Sequence, residues 1–267
     1  MDTQARRRQG FVAGSLIGTL GGLIGLGGAE FRLPVLVGLF RLNTLEAVIF
    51  NKAMSLVVVA AALLCRVREI PLAQLAEHLD IALNLLAGSL VGAWWAAGRA
   101  LSMSRLWLDR IIMALLAGLA LLMLGEAVLG LHHASTPLFE QYAVQLLAGL
   151  LAGLGIGMVA ALLGVAGGEL LIPTIVLLYG QDIKLAGSLS LMVSLPTMLV
   201  GFARYTGADA FAVLRRERGL FRWMVAGSIL GAALGGLLLG LLPTRLLVGG
   251  LGVILLISAV KTFRHAH

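Results

Sequence analysis

Charge is the first thing this chain lacks. Its 20 Lys and Arg and 13 Asp and Glu make up only 12% of 267 residues. That is too little polar surface to cover a soluble domain of this size, and the mean hydropathy is +1.00. Apolar runs of about 20 residues recur along the whole length, the pattern of a polytopic α-helical membrane protein. Cysteine is nearly absent. Cys65 stands alone, so neither an internal disulfide nor a multi-cysteine metal site can form. No polar domain exists to carry a basic patch, so the net charge of +7 does not indicate nucleic-acid binding. A Ser-His-Asp arrangement, a nucleotide loop and an HExxH pattern are also missing. His132, His133, His265 and His267 have no carboxylate or cysteine pattern beside them. Neither an enzyme nor a cofactor is expected.

Glycine is abundant, with 35 residues, and its placement repeats. Leu23–Val37 (LIGLGGAEFRLPVLV) aligns without a gap with Leu162–Val176 (LLGVAGGELLIPTIV) at an offset of 139. Gly25 meets Gly164, Gly28 meets Gly167, Glu30 meets Glu169 and Pro34 meets Pro173. The same register pairs Ala47 with Ala186, Ser55-Leu56 with Ser194-Leu195, and Gly88–Ala93 (GSLVGA) with Gly227–Ala232 (GSILGA). Such a register indicates internal duplication. It divides the chain into a first repeat, 1–131, an external connecting loop, 132–141, and a second repeat, 142–267.

Each repeat reads alike. A helix (11–26 or 142–165) runs into the glycine break, and a short apolar segment follows (31–40 or 170–179). Three full-length helices come next, near 44–64, 79–101 and 108–130, or 183–203, 219–242 and 245–262. A signal peptide competes for the N-terminus, but no small-residue cleavage site follows, which favours a retained helix. The short segments, at about 15 Å, cannot cross a hydrocarbon core of about 30 Å. They read as half-depth, re-entrant helices, or as thin crossings if lengthened at both ends. Letting each first unit return to its own side places Arg6–Arg8, Arg41, Arg99, Arg105, Arg110, Arg204, Arg215, Arg216, Arg218, Arg222, Lys261 and Arg264 inside. Only Arg66, Arg68, Lys184 and Arg245 remain outside. This positive-inside bias gives the repeats opposite orientation. The expected fold is an all-α membrane protein of two inverted-topology repeats, each a broken Gly-rich unit plus three transmembrane helices. Paired breaks in inverted repeats are the architecture of secondary transporters, with the site near the midplane.

A helix that starts after a glycine break aims unpaired N–H groups and its dipole into the break, which favours an anion. Pro34 and Pro173 read as first-turn residues of the short helices. The candidate anion ligands are therefore Gly27, Gly28 and Ala29 in the first break and Gly167 and Gly168 in the second. Close helix packing is the plainer use of such glycines. Glu30 and Glu169 either cap the short helices or carry a coupling proton. Arg32, opposite Leu171 in the other repeat, pairs with Glu30, binds substrate or snorkels to the surface. Lys52 lies about 12 Å into its helix and is an anion ligand, a Glu30 partner or a snorkelling lysine. Asn51 and Ser55, with Ser188, Ser190 and Ser194 across the repeat, complete the polar set. Trp94 and Trp95 suit packing or an interfacial belt.

The two glycine motifs, with AVIFNKAMSLVVV (47–59) and LAGSLSLMVSLPTMLVGFARY (185–205), resemble the sulfite exporter TauE/SafE family, also called the toluenesulfonate uptake permeases. The resemblance covers nearly the whole chain. It implies a plasma-membrane transporter of small anions such as sulfite or sulfonates. Ala29 and Ala166 replace glycines of the usual motif and keep the backbone approach close. The partners expected are a small anion and the lipid bilayer, with oligomeric state open between monomer and homodimer. A passive anion channel of the same architecture is the alternative function. The charge pattern generates a direct expectation: reporters fused at either terminus read cytoplasmic, and cysteine labelling within 132–141 reads external. A cytoplasmic 132–141 segment contradicts the inverted arrangement.

Overall fold

The computed structural model describes residues 3–24, 28–66, 76–129, 137–139, 141–237 and 244–264. Every regular element among them is helical. In chain order these are α1 (Thr3–Ile24), α2 (Ala29–Gly38), α3 (Thr44–Arg66), α4 (Leu79–Ser102) and α5 (Arg105–Leu129). There follow α6 (Tyr142–Leu163), α7 (Gly168–Tyr179), α8 (Ile183–Tyr205), α9 (Arg218–Leu237) and α10 (Thr244–Arg264). A 3-10 turn, Asp209–Ala212, and a single helical turn, Val213–Arg216, join α8 to α9. Among the described residues, four stretches are long and apolar enough to cross a membrane: Leu79–Ser102, Arg105–Gly125, Tyr142–Leu163 and Leu185–Tyr205. Helices α3, α9 and α10 are of similar length, at 23, 20 and 21 residues. The short helices α2 and α7 have 10 and 12 residues.

The α1 helix begins at Thr3, about two turns before the apolar run that marks it in the sequence. Arginine is a good helix former, and Arg6 has a reason to be ordered. It pairs with Glu217 at 3.0 Å and donates to the Phe40 carbonyl at 3.1 Å. The end of α2 therefore lies beside the start of α1. At the other end of the bundle, the Tyr179 hydroxyl at the end of α7 accepts from Asn84 at 2.8 Å, and the Leu138 N–H donates to Leu177.

The helices meet through small residues. Gly10 faces Leu220, Gly14 faces Met224 and Gly18 faces Ser228, so α1 and α9 run parallel with main chains in close approach. The pair α4–α6 does the same, with Leu85 on Gly153 and Ser89 on Gly157. Under the 139-residue offset, α1–α9 and α6–α4 are counterpart pairs. In each, a first helix packs on the fourth helix of the other half. Helix α8 runs parallel to α4, joined by the Ser89–Thr197 hydroxyl bond and by Arg204 against Gly98. Helices α5 and α10 are antiparallel. Leu33, Leu36, Val48, Ile49 and Phe50 fill the centre with no exposure. Large apolar side chains such as Leu151, Val91 and Leu121 stand about 60% exposed on the outside, the inside-out pattern of a lipid-facing wall. Trp94 and Trp95 are half exposed, under the guanidinium groups of Arg204 (4.6 Å) and Arg99 (5.4 Å). That is the aromatic–basic pairing of an interfacial belt.

Two glycines of α6 separate packing from helix propensity. A Cβ on Gly157 would lie 2.1 Å from the Ser89 carbonyl oxygen, whereas nothing lies within 4 Å of a Cβ on Gly155. Gly157→Leu must push α4 and α6 apart and is expected to cost about 1–3 kcal/mol, read as a lower melting temperature in detergent. Gly155→Ala is expected to melt at or above the wild type.

Candidate functional site

Both breaks are built by left-handed glycines. Gly28 (φ 65°) ends the first and is the N-cap of α2. A Cβ there would sit 2.6 Å from the Ile17 carbonyl oxygen. Gly164 (φ 67°) stops α6 and Gly167 (φ 81°) starts α7. Glycine at both N-caps leaves the first-turn N–H groups without a side-chain cap. Pro34 and Pro173 are each the sixth residue of their helix rather than first-turn residues. At that depth proline withholds the N–H that the carbonyl four residues earlier would accept. Those carbonyls belong to Glu30 and Glu169, so the main-chain oxygen of each matched acid lacks its i+4 donor.

Asn51 ties the breaks together. Its side-chain amide donates to the Ala29 carbonyl at 2.9 Å and to the Leu163 carbonyl at 3.0 Å. One acceptor opens α2 and the other closes α6. Lys52 donates to the Ala160 carbonyl at 3.1 Å, and the Tyr205 hydroxyl donates to Ala161 at 3.2 Å. Three of the last four carbonyls of α6 thus receive buried side-chain donors, one of them the cation that a helix C-terminus prefers. Lys52 has no exposure, which overturns the snorkelling reading, and its ammonium goes to Ala160 rather than to Glu30.

The two matched acids lie near one another. The Glu30 and Glu169 carboxyls are close enough to act on each other electrostatically, and the Arg32 guanidinium is close enough to act on both. Glu30 is fully buried, and neither carboxyl oxygen has a hydrogen-bond partner. Glu169 is partly exposed. Arg32 is 1% exposed, so it does not snorkel. It donates one bond to Ser55 at 3.0 Å, and its Nε and remaining Nη are unpartnered. Ser188, Ser190 and Ser194 are all buried on α8. Ser190, the counterpart of Asn51, turns back to Gly187 of its own helix at 2.8 Å. Gly168 is partly exposed. Gly27 lies outside the described residues, as do His132, His133, His265, His267 and most of the 132–141 segment.

Two features escaped sequence reasoning: Tyr205, and the contact of Arg32 with the acid of the other half. The orphan-carbonyl rule points toward the first, because a helix halted at Gly164 within an apolar interior needs buried donors. Arg32 has only Leu171 opposite it, and internal symmetry was silent there.

The family model of the sulfite exporter TauE/SafE matches residues 10–262. The chain belongs to that family. No curated protein and no solved structure matches it. TauE/SafE proteins are membrane transporters, and the multi-pass apolar helices place this member in a membrane. In this TauE/SafE chain, the charged and polar side chains at the breaks come from α2, α3, α7 and α8. The Asn51 bridge makes a stability prediction. Asn51→Leu orphans two buried carbonyls and is expected to cost on the order of 2–4 kcal/mol. Ser190→Ala, which loses only a bond within its own helix, is expected to cost far less. Thermal melts in detergent compare the two.

Proposed function

We propose that this chain is a secondary transporter that carries a small oxyanion, sulfite or a sulfonate, between the N-termini of α2 and α7. The carrying observation is that Glu30 and Arg32 from one half lie within electrostatic reach of Glu169 from the other. In this reading α1–α2 and α6–α7 are re-entrant units that enter from opposite faces, and α3–α5 and α8–α10 are crossings. Arg6 beside Phe40, Tyr179 beside Asn84, and the exchanged parallel pairs α1–α9 and α4–α6 support it. The inverted repeats then correspond to 1–131 and 142–267. The arginine-rich ends lie in the cytoplasm of a cell with both termini, and the membrane is the inner (plasma) membrane.

Charge supplies the mechanism. With both carboxyls ionised, Glu30, Glu169 and Arg32 together carry a net negative charge and repel an anion. With both protonated they carry one positive charge, held by a guanidinium suited to oxyanions. Backbone N–H groups at Gly28–Glu30 and Gly167–Glu169, with Ser55, Ser190 and Ser194 nearby, would complete the ligand set. Lys52 and Asn51 hold the break open rather than touch the anion first. Proton and anion therefore enter together, and the carboxyl pair is the coupling element.

Uptake into proteoliposomes from a sulfite and sulfonate panel, with an imposed pH gradient, tests this. Glu169→Gln and Glu30→Gln keep the volume but cannot ionise. They are expected to abolish pH-driven accumulation while leaving exchange or leak. Helix capping alone predicts unchanged pH dependence and a stability loss of about 1 kcal/mol. Wild-type flux that neither saturates nor responds to a pH gradient indicates a passive anion channel instead.

A further inference from the structure

The start of the α1–α9 pair carries a basic cleft. An open cleft of about 480 Å³ is lined by Arg7, Arg218, Gly219, Arg222, Trp223 and Ala226. Helices α1 and α9 run parallel, so both begin here, and three guanidinium groups converge from two helices. Gly219 seats one of them: a Cβ at that position would lie 2.8 Å from Arg7 Nε. The lining contains no acid. The acids nearby are taken by other arginines, Glu217 by Arg6 and Glu46 by Arg216, both at 3.0 Å.

We infer that this cleft binds the phosphate of an anionic glycerophospholipid. Guanidinium groups take phosphoryl oxygens bidentately, and basic pockets between membrane helices suit such headgroups. The apolar continuation selects a lipid over a free anion. Trp223 (49% exposed), Ala226 and Leu230 (54% exposed) follow the cleft along one stripe of α9, at spacings of three and four residues. Phe11 of α1 packs edge-on against Trp223, with ring centroids 6.0 Å apart, and forms the opposite wall. Headgroup and acyl chain thus each have a surface, one built of charge and one of exposed apolar side chains. None of these residues belongs to the Glu30–Arg32–Glu169 cluster, so the inference does not rest on the transport reading.

The test compares the full chain in phosphatidylglycerol and in phosphatidylcholine, by thermal melting and by native mass spectrometry of retained lipid. Wild type is expected to melt several degrees higher with phosphatidylglycerol and to retain it through delipidation. Arg7→Gln/Arg218→Gln/Arg222→Gln is expected to lose about 100-fold in phosphatidylglycerol affinity, and Arg222→Gln alone to lose part of it. Arg8→Gln, an exposed arginine outside the cleft, is expected to match wild type. Equal melting in the two lipids, or a triple variant that keeps its preference, overturns the proposal. So does a full wild-type shift with soluble glycerol phosphate or inorganic phosphate, which marks a free-anion site.

Discussion

A helix that stops inside a bilayer leaves four N–H or four C=O groups where no water can take them. Among the described residues α6 stops at Gly164 in a buried apolar interior, and much of the buried polarity gathers there. The last carbonyls of α6 are taken by Lys52, Tyr205 and Asn51. Asn51 also holds the first carbonyl of α2, so one amide group fixes the spacing between two breaks. The free N–H ends of α2 and α7 are a different matter. They are not closed by side-chain caps, and the charged cluster stands beside them. At the second break the carbonyl end is closed by side-chain donors, whereas the N-termini of α2 and α7 carry no side-chain cap.

Burying Glu30 and Arg32 beside a partly exposed Glu169 is costly, and a single ion pair rarely recovers the loss. Glu30, Arg32 and Glu169 recover part of it from one another, yet Glu30 and most of Arg32 lack good hydrogen bonds. A purely structural cluster would be expected to satisfy its members. The unpartnered Nε and Nη of Arg32 and the unpartnered carboxyl of Glu30 are what the transport proposal draws on. The small-residue contacts around it contribute in another way. They bring main chains of α1 and α9, and of α4 and α6, close enough that shape rather than polarity holds the two halves together.

Much of this architecture is legible in the sequence. Apolar runs mark the helices to within a few residues, because in a bilayer helix and apolar run nearly coincide. Only α1 begins well outside its run, where Arg6 finds Glu217 and Phe40. The breaks are visible as glycine clusters, and the 139-residue register brings Glu30 and Glu169 into correspondence before any contact is seen. The caps of α6 are not legible, because their donors lie 108, 44 and 112 residues from the carbonyls they serve. Depth in its helix made Lys52 an anion ligand, a Glu30 partner or a snorkelling residue, and the fold shows its ammonium buried on the Ala160 carbonyl. Arg32 is hidden for the opposite reason: the repeat offers it no partner to compare with.

The central claim is that one anion is held jointly by the two short helices. Crystallography of the protein with a selenium analogue of a small sulfur oxyanion tests it most directly, since anomalous scattering locates the anion itself. The account predicts one selenium peak at hydrogen-bond distance from Arg32 and from the first-turn N–H groups of both α2 and α7. A transport-competent protein whose only peaks lie at the arginine-rich surface, or at one short helix without the other, contradicts it.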